Sequence, residues 1–132
     1  MKLQKNTFLA LYSVLEFAAE PARQFSAADI AGKYDVSPHH LAKVLMRLRR
    51  AGLVSAARGA GGGYRFAGNP KRVTLLDVIG LFESIGAGGA PAKRRRGLER
   101  ALERVLAEID ETAKATFGSI TLETMFKLAR KR

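Results

Sequence analysis

The sequence predicts a mainly α fold with a small β-hairpin wing: a winged helix-turn-helix domain followed by a long C-terminal helix with dimerisation spacing. Three observations predict it. A strongly capped, base-rich amphipathic segment begins at Ser37, a glycine-rich break separates two short runs between residues 53 and 67, and apolar residues recur every three or four positions from Leu98 onward. Hydrophobic residues make up 47% of the 132, enough to build a core, and a chain of this size holds one domain or one domain with an appended element.

Taken in order, a first helix is expected over residues 7–19. Asn6 is placed to cap it, and Phe8, Leu11, Leu15 and Ala18 recur at helical spacing before Pro21 ends it. Ser26-Ala27-Ala28-Asp29 has the form of a capping box and opens a short second helix toward Tyr34. The third helix has the clearest start. Ser37 can accept from free amides, Pro38 has no N–H to lose, and Leu41, Val44, Leu45 and Leu48 define one apolar face. After Gly52 the chain reads as a strand over residues 53–58, a glycine turn, and a strand over residues 64–67. Thr74-Leu75-Leu76-Asp77 is a second capping box, opening a fourth helix through Val78, Ile79, Leu81 and Phe82. Beyond Gly86 to Pro91, a fifth helix is expected over residues 93–116, with an Asp110–Lys114 pair on its surface. A last helix over residues 121–130 carries Leu122, Met125, Phe126 and Ala129. The organisation that follows is a winged helix-turn-helix domain at 1–85, a flexible hinge at 86–92, and the dimerisation and C-terminal helices at 93–132.

Charge gives the first functional constraint. With 23 Lys and Arg against 12 Asp and Glu, the chain carries +11 at pH 7, and a polyanionic partner is the default expectation. Two short helices joined tightly, the second rich in base, describe a helix-turn-helix with a recognition helix. Successive helical residues turn by ~100°, which puts His39, Lys43, Met46 and Arg50 roughly 140–200° from Leu41, opposite the apolar face. Helix N-terminal residues in such motifs reach base edges, and charges farther along neutralise phosphates. His39, His40 and Lys43 are therefore candidate major-groove readers, and Arg47 and Arg50 candidate phosphate contacts. The hairpin suits a wing, because glycine lets its tip enter a narrow groove. Gly61 and Gly62 would form that tip, flanked by Arg58 and Arg65.

Other chemistries find little support. The glycine cluster is followed by a strand, which excludes a phosphate-binding loop of the strand–loop–helix type. Adjacent histidines do not converge on a metal, and the chain has no cysteine, so no metal site, thiolate nucleophile or disulfide is expected. No nucleophile–base spacing points to an enzyme. With no signal-peptide or membrane-length apolar run, a cytoplasmic protein is expected. Two readings of the fifth helix stay open: packing on its own domain, or pairing with a second copy through Leu98, Leu102, Val105 and Ile109. Lys93-Arg94-Arg95-Arg96 either touches distal phosphates or is solvated.

These elements together resemble the Rrf-two family of winged-helix transcriptional regulators (the IscR/NsrR type). The likeness runs through Val36-Ser37, His40-Leu41-Ala42-Lys43-Val44-Leu45, Leu48-Arg49-Arg50-Ala51-Gly52-Leu53-Val54, Arg58-Gly59, Gly61-Gly62-Gly63-Tyr64-Arg65 and Thr74-Leu75-Leu76-Asp77-Val78-Ile79. The resemblance implies a homodimer crossed by the long helix on a roughly palindromic double-stranded operator, and the leading expectation is a sequence-specific regulator that acts as a repressor. Ser37, His39, His40 and Lys43 would lie in the major groove and Arg58 in the wing. Many members hold an iron–sulfur cluster through three cysteines between the fourth and fifth helices. Here all three are missing, so no cofactor is expected, and a signal would arrive through a small effector or through the protein's own concentration. The alternative from another class is an architectural DNA-binding protein of low sequence specificity.

Overall fold

The chain begins its first helix two residues earlier than Asn6 suggests, and the cause lies far along the sequence. In the computed structural model, which describes residues 3–57, 62–83 and 96–131, α1 spans Lys5–Ala19 and its N-cap is Gln4, without a side-chain cap. The Glu83 carboxylate takes the Gln4 N–H at 2.9 Å and also accepts from the Thr7 hydroxyl. Asn6 is thus inside the first turn rather than capping it.

The next two helices, α2 (Ala27–Lys33) and α3 (Pro38–Arg50), start where the hydroxyl caps predict. Ser26 Oγ accepts from Asp29 N–H, and Ser37 Oγ from His40 N–H, each at 3.0 Å. Both helices also end alike. Val36 N–H returns to the Ala31 carbonyl and Leu53 N–H to the Leu48 carbonyl, each at 3.0 Å. These are the closing bonds of a Schellman turn, which needs a left-handed residue just after the helix. Gly52 (φ 80°) supplies it after α3, and Asp35 (φ 53°), a residue type that tolerates this region, supplies it after α2.

Strands β1 (Val54–Ala57) and β2 (Gly63–Phe66) form an antiparallel hairpin, with Val54 opposite Phe66 and Ser55 opposite Arg65. Phe25 adds a third, one-residue edge: its N–H and carbonyl exchange bonds of 2.8 Å with Tyr64. Because Ser26, the cap of α2, follows directly, the wing and the helix-turn-helix are tied through adjacent residues.

Helix α4 (Leu75–Ile79) carries the full reciprocal capping box of Thr74 and Asp77. It is shorter than expected, and Leu81 and Phe82 lie in the turn that follows Gly80, held by bonds to Val78 and Ile79. Helix α5 (Leu98–Ser119) follows Gly97, and α6 spans Leu122–Arg130. Helix α5 therefore starts later than the expected Lys93, because Gly97 (φ 48°) breaks the helical path just before Leu98, and it runs three residues past Thr116; the hinge at 86–92 lies outside the described residues. The surface ion pair on α5 joins Lys114 to Glu111, at 4.0 Å, where an Asp110 partner was expected. A one-turn offset serves either acid, and Lys114 takes the position three residues back.

The core is built from Val14, Phe17, Leu41, Val44, Leu45, Leu48, Val78, Ile79 and Leu122. Leu122 is fully buried in it. The bond from Leu122 N–H to the Val73 carbonyl (3.0 Å) and that from Leu75 N–H to the Ile120 carbonyl (2.9 Å) splice α6 onto the segment before α4. A division that groups α6 with α5 therefore cuts through the single core, since α6 packs with the N-terminal helices. By contrast α5 has no buried residue.

Candidate nucleic-acid interface

The HTH pair is α2 and α3, and α3 presents a sharply two-sided surface. Leu41, Val44, Leu45 and Leu48 are buried, while His39, Lys43, Met46, Arg49 and Arg50 are exposed. Pro38 and the Ser37 cap fix the N-terminal turn, so His39 and Lys43 project from a rigid first turn and a half. Ser37 spends its oxygen lone pair on the cap, and its own O–H remains a donor. Three basic residues in the last turn, Arg47, Arg49 and Arg50, suit the negative end of the helix dipole as well as a polyanion.

The structure separates the predicted readers into two groups. His39, Lys43 and Arg50 share the outer face. His40 is half-buried, and with Arg47 it turns toward a cleft of about 450 Å³ that is also lined by Gln4, Asn6, Lys43, Val44 and Phe82. Arg47 does not extend freely. Its Nη1 donates to the Leu81 carbonyl at 3.0 Å, and its guanidinium lies 5.3 Å from the Phe82 ring centroid, a cation–π distance. Lys43 borders both the face and the cleft. Of the proposed wing, Arg65 is exposed on β2 and Gly62 precedes it, whereas Arg58 and Gly61 lie outside the described residues.

Sequence reasoning missed the residues that hold this surface in place. Glu83, Leu81 and Phe82, which follow α4, grip α1 and α3, yet nothing local marks them as partners. A second brace joins α1 to α2. Glu16 Oε1 accepts from Tyr34 Oη at 2.8 Å and from Lys33 Nζ. The Lys33 contact, followed by the Tyr34 hydrogen bond, outweighs desolvation and holds the Glu16 carboxyl below its ordinary range. Burial first, and the Glu16 carboxylate second, push the Tyr34 phenol upward. Tyr34 also stacks on Tyr12 (centroids 5.2 Å apart), which stacks on Phe8.

A different surface runs along α5. Leu98 is 90% exposed, Leu102 60% and Ile109 54%, and Val105 continues the stripe. Leu106, absent from the predicted seam, is exposed on its flank. Thr112 and Thr116 return their hydroxyls to the carbonyls four residues back, at 2.9 Å each, so the polar end of the seam is satisfied within the helix.

A capped recognition helix behind a short hairpin, with a cationic outer face, defines a winged helix-turn-helix protein. Residues 3–128 match the family model Rrf2, described as an iron-dependent transcriptional regulator. The chain belongs to this family, and it is a DNA-binding transcriptional regulator. It is 56% identical over 129 residues, 97% of its length and 83% of the relative's, to BadM of Rhodopseudomonas palustris, named as an HTH-type transcriptional regulator. It is 35% identical over 103 residues to the HTH-type transcriptional regulator IscR of Xenorhabdus nematophila, covering 76% of this chain and 63% of that one. Among solved structures, CymR, the global cysteine regulator of B. subtilis, superposes with a TM-score of 0.79 at 28% identity, covering 95% of each chain. T. potens IscR gives 0.78 at 25%, covering 99% of this chain and 90% of that one.

The family description raises iron, and the donor set here does not fit a thiolate-held cluster. The full sequence contains no cysteine and only two histidines. Those two sit side by side on α3, one on the outer face and one toward the cleft, and among the described residues no three of His, Asp or Glu converge. No helix among the described residues is long and apolar enough to cross a membrane.

Proposed function

We propose that the protein is a cytoplasmic homodimeric repressor that binds a palindromic DNA operator without an iron–sulfur cluster. One observation carries this reading: the outer face of α3 offers His39, Lys43 and Arg50 on a helix whose opposite face is locked in the core. Such a helix fills a major groove with its N-terminal residues at base edges and its later charges near phosphates. Ser37, His39 and Lys43 are the readers, Arg50 a phosphate contact, and Arg58, Gly61, Gly62 and Arg65 the wing. The exposed stripe of α5 supports pairing with a second copy, which gives the two-fold symmetry that a palindrome matches. Control comes from a small effector or from the protein's own concentration.

Selection of bound duplexes from a random pool tests this directly. An enriched palindrome is expected. On that operator Lys43→Ala changes which bases are preferred, whereas Arg50→Ala weakens all duplexes about equally and lowers the salt slope by ~1. A pool that enriches no sequence would instead identify an architectural binder. Two variants that both merely scale affinity would move base reading away from Lys43.

A further inference from the structure

The cleft between α1, α3 and the turn after α4 has a one-sided chemistry. Its lining includes the Lys43 ammonium, the Arg47 guanidinium and the amides of Gln4 and Asn6, and among the described residues it has no carboxylate. Glu83, the nearby acid, is already occupied by the Gln4 N–H and the Thr7 hydroxyl. Among the described residues, the Asn6 and Lys43 side chains have no hydrogen-bond partner. Arg47 uses one N–H on the Leu81 carbonyl and keeps others of its five free. Cations and amide donors without an opposing acid are matched by an oxyanion, and bonds to a charged group are the strong ones. Arg47 is also pinned, by the carbonyl and by the Phe82 ring, so it loses little side-chain freedom when an anion arrives.

Lys43 decides which oxyanion. It lies at the rim of the cleft and on the outer face of α3 together, so the cleft opens beside the surface assigned to DNA. We propose that the cleft seats a backbone phosphate of the operator. The first turn of α1 is then a third DNA-contacting element, with Asn6 and Arg47 as direct phosphate contacts. The inference rests on the DNA-reading role of α3 given above. It also assigns Arg47 a phosphate in this cleft rather than on the outer stripe, and removes His40 from base reading.

The experiment uses the full chain and its selected operator. Asn6→Ala is expected to weaken operator and unrelated duplexes alike, by roughly tenfold, with an unchanged salt slope because a neutral donor displaces no counterion. Arg47→Ala weakens them similarly but lowers the slope by ~1. The decisive arm replaces operator phosphates singly with uncharged methylphosphonates. At one position per half-site the difference between wild type and Asn6→Ala disappears, a result that general loosening of α1 cannot produce. Equal affinity of wild type and Asn6→Ala, or a difference that persists whichever phosphate is neutralised, overturns the proposal. So does inorganic phosphate that binds the cleft while the operator stays bound at full affinity, which would make the cleft a small-oxyanion site apart from the DNA. In each of those cases Lys43→Ala still alters base preference if the DNA reading stands, whereas a wild-type protein that enriches no duplex removes both.

Discussion

Gly63 stands where a side chain has no room. A Cβ there would meet the Phe25 carbonyl oxygen at 2.6 Å, and its φ of 152° is one that L residues rarely adopt. The clash is with backbone, so no rotamer relieves it, and the bonds between Phe25 and Tyr64 would have to give way. Gly52 is the useful contrast: its φ is 80°, but nothing lies within 4 Å of an added Cβ. Gly63→Ala is therefore expected to cost ~2 kcal/mol or more, and Gly52→Ala about 1 kcal/mol from conformation alone. Urea unfolding with a shared m-value measures both; equal costs would show that the wing does not depend on this close approach. At this scale the sequence was readable wherever the signal was local. Ser26, Ser37 and Thr74 cap the helices they precede, because a cap and its amide are three residues apart. Asn6 misled for the opposite reason. The group that satisfies the start of α1 is Glu83, 79 positions from Gln4, and no window on the sequence joins them.

Between elements, the brace of Glu16, Lys33 and Tyr34 ties α1 to the first helix of the HTH pair. Its two titrating groups shift in opposite directions. The Glu16 carboxyl is lowered from 4.5, so its contribution to stability is complete above that value and disappears as pH falls through the lowered one. The Tyr34 phenol is raised from 10.0, so its contribution is complete below that value and is lost as pH rises beyond it. The stability difference between wild type and Glu16→Gln should thus be flat from about pH 6 to 9 and shrink as the solution is acidified below about pH 4. Chemical unfolding across pH measures it; a difference that grows on acidification would show that Glu16 is not held as the carboxylate. Lys33 and Glu16 are 17 residues apart, and nothing local in the sequence pairs them. The α3 wheel succeeded for the same reason that this pairing escaped it: periodicity assigns a face but does not identify what stands opposite.

For the molecule as a whole, the sequence gives the right inventory of helices and hairpin, while their grouping required the three-dimensional contacts. Leu122 reads as one more apolar helix residue, yet it fills the core beside α1. The stripe on α5 reads from the sequence as one apolar face of a helix, and among the described residues that face stays exposed. If a second copy covers it, Val105→Glu with Ile109→Glu places carboxylates where desolvation is unaffordable without a partner charge. Sedimentation should then find monomers, with palindrome binding lost and each winged domain still folded. A double variant that sediments as a dimer would locate the interface elsewhere. The splice at Val73–Leu75 has a mechanical meaning for that seam. Helix α5 has 22 residues, a beam of ~33 Å at 1.5 Å per residue, and it is clamped at Ile120, its C-terminal end. A tilt of about 5° there carries Leu98 through roughly 3 Å while the clamp itself hardly moves. The short bridge between Thr74 and Thr121 lies at the pivot of such a tilt, where a small change in geometry would translate into a large displacement of Leu98.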